Sequence, residues 1–386
     1  MTVITDADRK QLVDLIRDFG TTEVQPRVRD YDREETLPAD VLTKMADLGL
    51  FGGTVDPQWG GAGLDHVTFA AMIEEMARFD HCLGVLMSMP SALVGAGIER
   101  FGTDEQREKW LQPLCRGEIF GGAGVTEPQS GSDFAGLRTT YTVDDDGSYV
   151  LHGSKTWISN LDIASFFVTF ATIDPSLRVP GISAFIVPKD TAGVSLHPFT
   201  NKMGFRPLCT GEIVLDQVRL GPEALLGDAG HGYAVAMVAV ERGRLAVAAR
   251  ATGAAQLCLD ASVRYARQRV VRQQPIAEFQ MIQKKIADMA TEIQAARLLV
   301  QECAAALDRG ERARQETSMA KMYATDVFQR VATEAVQIFG AYGISDEYPV
   351  GRAYRDAKVF QIVEGPNEIH RVLIARGLLS PRGVRA

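Results

Sequence analysis

The sequence predicts an α+β multidomain protein with an N-terminal α-helical domain, a central small antiparallel β domain and a C-terminal four-helix bundle. Apolar residues recur at helical spacing near both ends of the chain, whereas short β-branched and aromatic runs separated by Gly, Pro and Asp occupy its middle. A chain of 386 residues, 46% of them hydrophobic, can bury several cores. We place the three domains at residues 1–120, 121–231 and 232–386.

The N-terminal domain is predicted to begin with a helix capped by Asp6, because apolar residues such as Leu12, Ile16 and Phe19 follow at helical spacing. Pro38 is expected to start a further helix. Residues 56–63 form a glycine-rich loop without the preceding strand or the spacing of a dinucleotide-binding fingerprint. This region therefore offers helices but no Rossmann-type site.

The central domain is predicted from three β-rich runs, at residues 166–170, 182–187 and 212–215. The segment Asp144-Asp145-Asp146-Gly147 is a turn signal between two strands of a hairpin. Several short strands joined by such turns are typical of a small antiparallel sheet.

The C-terminal domain is predicted to be helical from Gly232, with an Ala- and Gly-rich helix to about Asp260. A second helix carries one apolar seam of about 40 Å and ends at Gly310. The seam consists of Phe279, Ile282, Ile286, Met289, Ile293, Ala296, Val300, Cys303 and Leu307. Its spacing of three and four favours a four-helix bundle. The order helical, β, helical places a cleft where the domains meet, and ligand sites favour such junctions.

Composition excludes several function classes. A formal net charge of −8 and a pI near 5.4 argue against a nucleic-acid partner. The five cysteines and six histidines are scattered, so we expect reduced thiols and no metal site. The N-terminal sequence lacks the pattern of a signal peptide, and no apolar window is long enough to span a membrane. We expect a cytoplasmic protein.

Two polar segments in the central region have the residue types that hold a planar polar cofactor. Residues 124–133 are rich in Gly, Ser and Thr and offer backbone N–H groups and hydroxyls, although a turn without ligand has the same composition. In the second segment, Trp157 and Ser159 would point to the same side of a strand. They could support an aromatic ring and bond its heteroatom, or Trp157 could be half-buried in a β core.

The run Val363-Glu364-Gly365-Pro366-Asn367 is the most informative stretch of the chain. A carboxylate beside a glycine, where the helix should break, can face a pocket and accept a proton. A solvated turn residue is the alternative interpretation of Glu364.

Taken together, these motifs identify a resemblance to the acyl-CoA dehydrogenase family over almost the whole chain. Many blocks match in one order, which is more specific than any single motif. They are Gly49 to Gly53, Lys202 to Arg206, Glu241-Arg242, Tyr265 to Arg269, Phe279-Gln280, Ala287 to Met289, Gln337 to Gly340, Glu347 to Val350, Tyr354 to Lys358 and Ile374 to Arg376.

The resemblance implies FAD as the cofactor, between the β domain and the C-terminal bundle. It implies that Val125, Thr126 and Ser132 line the flavin pocket, that Trp157 packs on the isoalloxazine and that Ser159 bonds near N5. The resemblance further implies that Asn367 and Glu368 contact FAD. It also implies that a neighbouring subunit contacts the adenine-diphosphate end of FAD through its Arg269, Gln280, Gln337 and Gly340. A guanidinium suits diphosphate oxygens.

The implied reaction removes an α-proton and a β-hydride from an acyl thioester and gives the trans-2-enoyl product. The resemblance places the base at Glu364, with Glu241 as the alternative used by a minority branch, and the substrate near Ser132, Arg242 and Gly365. If Glu241 is not the base, we expect it to pair with Arg242 or Arg244. Burial between apolar walls should raise the pKa of the base.

Three departures from the family pattern bear on the substrate and the cofactor. Pro366 replaces a threonine near the flavin, and Arg272-Gln273 replaces Phe-Gly after Arg269. Ala239 replaces an aspartate near the pantetheine arm in many CoA-using members, so a substrate on an acyl-carrier protein is an alternative to acyl-CoA.

An oxidase, or an enzyme for a carrier-bound acyl or aminoacyl group, is the second enzyme hypothesis, and a non-catalytic flavin-binding relative is the third. The resemblance also implies electron-transfer flavoprotein or a similar acceptor as a partner, and a homotetramer built from dimers.

Overall fold

The computed structural model describes residues 4–380. Residues 1–3, which belong to the N-terminal segment considered as a signal peptide, lie outside this range. Residues 381–386 of the predicted C-terminal domain also lie outside it. Within residues 4–380, no helix combines the length and the apolar character that crossing a membrane requires.

The N-terminal region is helical, as predicted. Its first helix is capped by Thr5 rather than by Asp6, because the Thr5 hydroxyl accepts from the Asp8 N–H while the Asp8 carboxylate accepts from the Thr5 N–H. Pro38 is the N-cap of the third helix. The helices are α1 (Asp6–Phe19), α2 (Val28–Glu34), α3 (Ala39–Asp47), α4 (His66–Ala77), α5 (His81–Ser88), α6 (Gly95–Phe101), α7 (Asp104–Gln106) and α8 (Gln112–Cys115).

The central region is a mostly antiparallel sheet that contains all three predicted strands. Its strands are β1 (Phe120–Gly124), β2 (Thr140–Val143), β3 (Tyr149–Ser159), β4 (Ala164–Thr172), β5 (Ile182–Pro188), β6 (Val194–Pro198), β7 (Thr210–Leu220) and β8 (Leu225–Leu226). The order is β6-β7-β3-β2-β4-β5-β8, and β1 pairs with β4. The β1–β4 and β2–β4 pairs are parallel, which the turn signals did not predict. The predicted hairpin turn joins β2 to β3.

The sheet separates two cores because β4 is apolar on both faces. Phe166, Val168 and Phe170 face the core shared with the helices, whereas Phe167 and Ala171 belong to a second core on the other side of the sheet. The near-continuous apolar run of β4 follows from this double burial.

The C-terminal region contains three long helices and two shorter ones. They are α9 (Gly232–Gln268), α10 (Gln280–Asp308), α11 (Arg314–Phe339), α12 (Pro349–Phe360) and α13 (Asn367–Leu379). A short hairpin of β9 (Val270–Val271) and β10 (Gln274–Pro275) joins α9 to α10. The predicted seam of α10 is confirmed over its middle, where Met289, Ile293 and Val300 are buried.

The sheet meets the bundle where α9 begins. A Cβ atom on Gly232 would lie 2.6 Å from the carbonyl carbon of Ser183 in β5, so only glycine allows this approach. From this junction α9 runs through the shared core and packs against α4, α10, α11 and α12. Side chains on different faces of α9 therefore contact different helices.

Candidate active site

The loop that carries Glu364 is a strained connection between α12 and α13. Both Glu364 (φ 56°) and Gly365 (φ 89°) are left-handed, and Pro366 is extended before α13. A non-glycine residue in this conformation costs about 1–2 kcal/mol. The backbone is held at both ends, since the Asn367 N–H donates to the Gln361 carbonyl over 3.1 Å and Lys321 Nζ donates to the Gly365 carbonyl over 2.8 Å. Such strain is typical of functional positions.

The carboxyl group of Glu364 faces Gly243 on α9. A Cβ atom on Gly243 would lie 3.1 Å from Cδ and Oε2 of Glu364, which is tighter than ordinary van der Waals contact. Glu364 is half-buried, and no donor within the described chain makes a hydrogen bond to its carboxylate. The group therefore has both the room and the free oxygens to accept a proton.

The pKa of Glu364 lies in the range that a general base needs. Desolvation raises the pKa of this carboxyl to about 7. The positive charges of Arg244, Arg250 and Lys321 oppose that increase and keep the anionic form accessible near neutral pH.

Lys321 and Asn367 form a buried polar support beneath the loop. Lys321 Nζ donates to Asn367 Oδ1 over 2.9 Å, and Asn367 Nδ2 donates to Thr325 Oγ1 over 2.9 Å and to Asp326 Oδ1 over 2.7 Å. Burial lowers the pKa of Lys321 to about 7. The sequence analysis did not predict a role for Lys321. The available signal was a lysine close to Ala320 and Ala324 on the apolar side of a helix.

The cofactor contact predicted for Asn367 stays a prediction. Its side chain is buried and makes hydrogen bonds to Lys321 and Asp326. Glu368, in contrast, is exposed. His370 lies behind the loop, with its Nε2 3.5 Å from the Cβ position of Gly365. Burial lowers the pKa of His370 to about 3, so its ring is neutral.

Glu241 lies on a different face of α9 from the position that meets Glu364. It lies two positions before Gly243, which corresponds to a rotation of about 200° around the helix. Desolvation raises the pKa of Glu241, and its Oε1 is buried without a hydrogen bond. The expected ion pair with Arg242 or Arg244 is absent among the described residues, because Arg242 Nη1 donates to Glu99 Oε2 over 2.6 Å instead.

The two polar segments of the β domain are brought together. The Thr156 N–H donates to the Thr126 carbonyl over 2.8 Å, which places the loop after β1 beside β3. A buried ion pair fixes the same loop, since Lys155 Nζ lies 2.6 Å from Glu127 Oε1. The backbone N–H groups of Arg138 and Thr139 also donate to Glu127. Sequence reasoning missed this Glu127–Lys155 pair.

Both members of that pair are ionisable groups far from water. Although desolvation acts in the opposite direction, Lys155 and the N–H donors hold the pKa of Glu127 below its ordinary value. Burial lowers the pKa of Lys155 to about 8. Around this pair, Val125 and Thr126 are half-buried and Ser132 is exposed.

Trp157 presents an open indole surface. It is 63% exposed, which rules out the alternative of a tryptophan half-buried in a β core. Its φ of 60° coincides with a register shift between Lys155 and Ile158, and its ring contacts only the edge of Phe199 at 4.9 Å among the aromatic rings described. Ser159 is half-buried, and the intervening Ile158 is buried, as strand alternation predicts.

The chemistry of this surface fits a flavin. An exposed indole offers a face for a tricyclic ring, and the adjoining loop offers hydroxyls and backbone donors. Val125, Thr126, Ser132, Trp157 and Ser159 are thus positioned on one loop and one strand. The side chains within residues 4–380 form no cluster of three or more metal-ligating groups.

The four residues expected to serve a neighbouring subunit lie at one end of the bundle. Arg269 follows α9, Gln280 begins α10, and Gln337 and Gly340 end α11. All four are exposed. Stacking of Tyr265 on Phe339 at 4.1 Å joins the α9 and α11 ends. The contacts predicted between these four residues and a neighbouring subunit's FAD stay a prediction.

Three family models match consecutive parts of the chain. They describe the acyl-CoA dehydrogenase N-terminal domain (residues 6–118), middle domain (residues 122–218) and C-terminal domain (residues 230–379). The three models follow one another in the same order as the helical region, the β domain and the C-terminal bundle of the fold. The chain belongs to the acyl-CoA dehydrogenase family.

Individual relatives match over nearly their full length. An acyl-CoA dehydrogenase of Bacillus subtilis is 40% identical over 95% of this chain and 96% of the relative. The caffeyl-CoA reductase-Etf complex subunit CarC of Acetobacterium woodii is 38% identical over 96% and 98%. The solved butyryl-CoA dehydrogenase from Megasphaera elsdenii superposes with a TM-score of 0.94, at 38% identity over 98% and 100% of the two chains.

Proposed function

We propose that the protein is an FAD-dependent dehydrogenase that converts an acyl thioester, with CoA as the favoured carrier, to its trans-2-enoyl thioester. Family membership supports an oxidoreductase of this kind. The observation that carries the proposal is the Glu364 carboxyl, which faces Gly243, accepts no hydrogen bond from the residues that the structure describes and has a pKa raised to about 7.

Glu364 is proposed to take the α-proton. The left-handed loop aims its carboxylate across α9, and Lys321 prevents the loop from relaxing. Because Glu364 has no competing donor, its oxygens are free for the substrate. FAD, held by the Val125–Thr126 loop, Ser132, Trp157 and Ser159, would supply the acceptor for the β-hydride. The backbone N–H of Glu364 is a candidate donor to the thioester oxygen, where negative charge develops as the proton leaves.

Glu241 is the alternative base, and it is disfavoured by its position on another face of α9. The experiment is anaerobic flavin reduction by acyl-CoA thioesters of varied length in Glu364→Gln and Glu241→Gln. We expect Glu364→Gln to keep its flavin and to lose reduction by about three orders of magnitude or more, with Glu241→Gln retaining it. The reverse pattern would reassign the base.

A carrier-protein thioester is the second candidate, because Ala239 replaces the aspartate common in CoA-using members. Ala239 is buried and apolar, so it offers no charge to a pantetheine arm. Flavin reduction by an acyl-carrier-protein thioester, without reduction by the matching acyl-CoA, would establish this alternative.

The electrons must leave the reduced flavin for a second protein or for oxygen. The relative in an Etf complex supports an electron-transfer flavoprotein as acceptor. Fast reoxidation in air would favour an oxidase. The exposed end with Arg269 and Gln337 supports a shared cofactor site, and hence at least a dimer and by analogy a tetramer.

A further inference from the structure

Arg250 is a buried cation that has no counter-ion or hydrogen-bond acceptor among residues 4–380. It lies on α9 with 6% of its surface exposed, and its Nε and Nη1 are sealed from solvent with no partner. A guanidinium has five N–H donors and stays charged, so an unpaired one in a core is unfavourable. Nη2 also makes no hydrogen bond within the described part of the chain, but it is not sealed from solvent as Nε and Nη1 are.

The residues around Arg250 pack against its aliphatic chain and leave its guanidinium without a hydrogen-bond partner among the described residues. Gly84 on α5 makes room, since a Cβ there would lie 3.1 Å from Cδ of Arg250. The guanidinium lies 5.4 Å from the ring centre of Phe360, the last residue of α12. Desolvation lowers the pKa of Arg250 to about 10, and the negative charge of the Glu364 carboxylate opposes this decrease.

Arg250 and Gly243 share one face of α9. Seven residues correspond to nearly two turns, which place Arg250 about 10 Å further along the helix and within about 20° of the same face. Gly243 meets the Glu364 carboxyl. An acyl group that presents its α-carbon to Glu364 and continues along this face therefore extends toward the guanidinium.

We propose that Arg250 binds a carboxylate at the far end of the acyl group, so that the substrates are short acyl thioesters with a second carboxylate. This proposal rests on the proposed dehydrogenase function. A planar fork binds a carboxylate through two parallel N–H···O bonds, which would satisfy the buried Nε and one Nη together. A helical advance of about 10 Å, less the reach of the arginine side chain, corresponds to the length of a chain of roughly four or five carbons.

Binding measured without chemistry separates this proposal from the proposed reaction. The host is Glu364→Gln holoenzyme, and the probes are glutaryl-CoA and pentanoyl-CoA, which have equal carbon numbers but differ in terminal charge. We expect calorimetry to give roughly tenfold or more tighter binding of glutaryl-CoA, and Arg250→Gln to remove this preference. Arg250→Lys should restore part of it, since the charge remains but the fork is lost.

Arg297→Gln is the matched control, because Arg297 already pairs with Glu74 at 2.8 Å. It should leave the glutaryl-to-pentanoyl ratio as it is. Equal binding of both probes, or an equal loss of both in Arg250→Gln, would overturn the carboxylate site. Failure of every thioester to reduce wild-type flavin would refute the proposed function instead, and the binding ratio would still report on Arg250. A poorly folded Arg250→Gln would be recognised by thermal unfolding, with Arg250→Lys then deciding.

Discussion

A Cβ atom on Gly243 would stand 3.1 Å from the carboxyl carbon of Glu364, although 121 positions separate the two residues in sequence. Helix α9 and the loop before α13 therefore meet at a point where only glycine leaves the carboxyl group in its present place. This relationship defines the base side of the candidate active site and leads to the first prediction.

Gly243→Ala should separate stability from activity. Alanine in a helix stabilises by about 0.5–1 kcal/mol relative to glycine, but the new methyl must displace the Glu364 carboxyl by a few tenths of an ångström. We expect flavin reduction to fall about tenfold or more with flavin content retained. In the control Gly377→Ala, the methyl meets only the end of Gln315, at 3.3 Å. Wild-type reduction by Gly243→Ala would argue that Glu364 does not act from this position.

The raised pKa of Glu364 predicts opposite effects on activity and stability. The anionic base forms as the pH rises through about 7, so kcat/KM should rise across that range. The unfolded carboxyl titrates near 4.5, so between about 4.5 and 7 the folded state binds more protons and stability falls as the pH rises.

Glu364→Gln should therefore be more stable than the wild type at pH 8, by at most about 3 kcal/mol, with the difference lost toward pH 4. Urea unfolding at the two pH values measures it. A difference that grows toward acid pH would contradict the raised pKa.

Lys321→Met should loosen the catalytic loop. It removes the Lys321 donor from the Gly365 carbonyl and from Asn367 Oδ1, at a cost of about 2–4 kcal/mol in unfolding free energy. Flavin reduction should fall with it, because the loop that holds Glu364 left-handed loses its hydrogen bond at Gly365. Lys284→Met is the control, since Lys284 pairs with Asp288 on the surface. Equal behaviour of the two variants would remove Lys321 from this role.

Lys155→Met should weaken flavin retention through the loop that carries Val125 and Ser132. It leaves the buried Glu127 carboxylate without its cation, which typically costs about 3–5 kcal/mol. In the double variant Lys155→Met with Glu127→Gln, we expect part of this stability to return, measured by urea unfolding and bound flavin. Full flavin occupancy in Lys155→Met would show that the loop does not depend on the pair.

Arg269→Ala should lower FAD retention, and the neighbouring exposed Arg267→Ala should not. Of these two arginines, only Arg269 has its guanidinium carbon over the Tyr342 ring, 5.7 Å from the ring centre. Arg269 also belongs to the group of exposed residues that includes Gln337 and Gly340. Flavin content after gel filtration measures the difference. Full occupancy in Arg269→Ala would count against a site shared between subunits.

The sequence predicted the parts that local chemistry determines. Gly365 and Pro366 predicted the break around Glu364, which lies between the end of α12 at Phe360 and the N-cap of α13 at Pro366. The three strands followed from their β-branched and aromatic runs. Helix α9 continues to Gln268, past the predicted end near Asp260, because no glycine or proline interrupts the chain there and Ala261, Ser262 and Ala266 remain buried.

Other features depend on contacts between distant segments, and local patterns could not predict them. Gly243 resembles any small residue of an Ala- and Gly-rich helix until Glu364 is placed against it. Lys155 lies in a strand and Glu127 in a loop, so only the fold pairs them. The left-handed φ of Trp157 arises from a register shift with β7, which the alternation of its own strand does not encode.

Exchange of the α-proton with solvent tests the central claim most directly, because it reports on the base alone. A 3-thia acyl-CoA, in which sulfur replaces the β-carbon and blocks hydride loss, is incubated in D2O with wild type, Glu364→Gln and Glu241→Gln, and α-deuteration is followed by mass spectrometry. We predict rapid exchange with wild type and with Glu241→Gln and none above background with Glu364→Gln. Exchange by Glu364→Gln at the wild-type rate would contradict the assignment of Glu364 as the base.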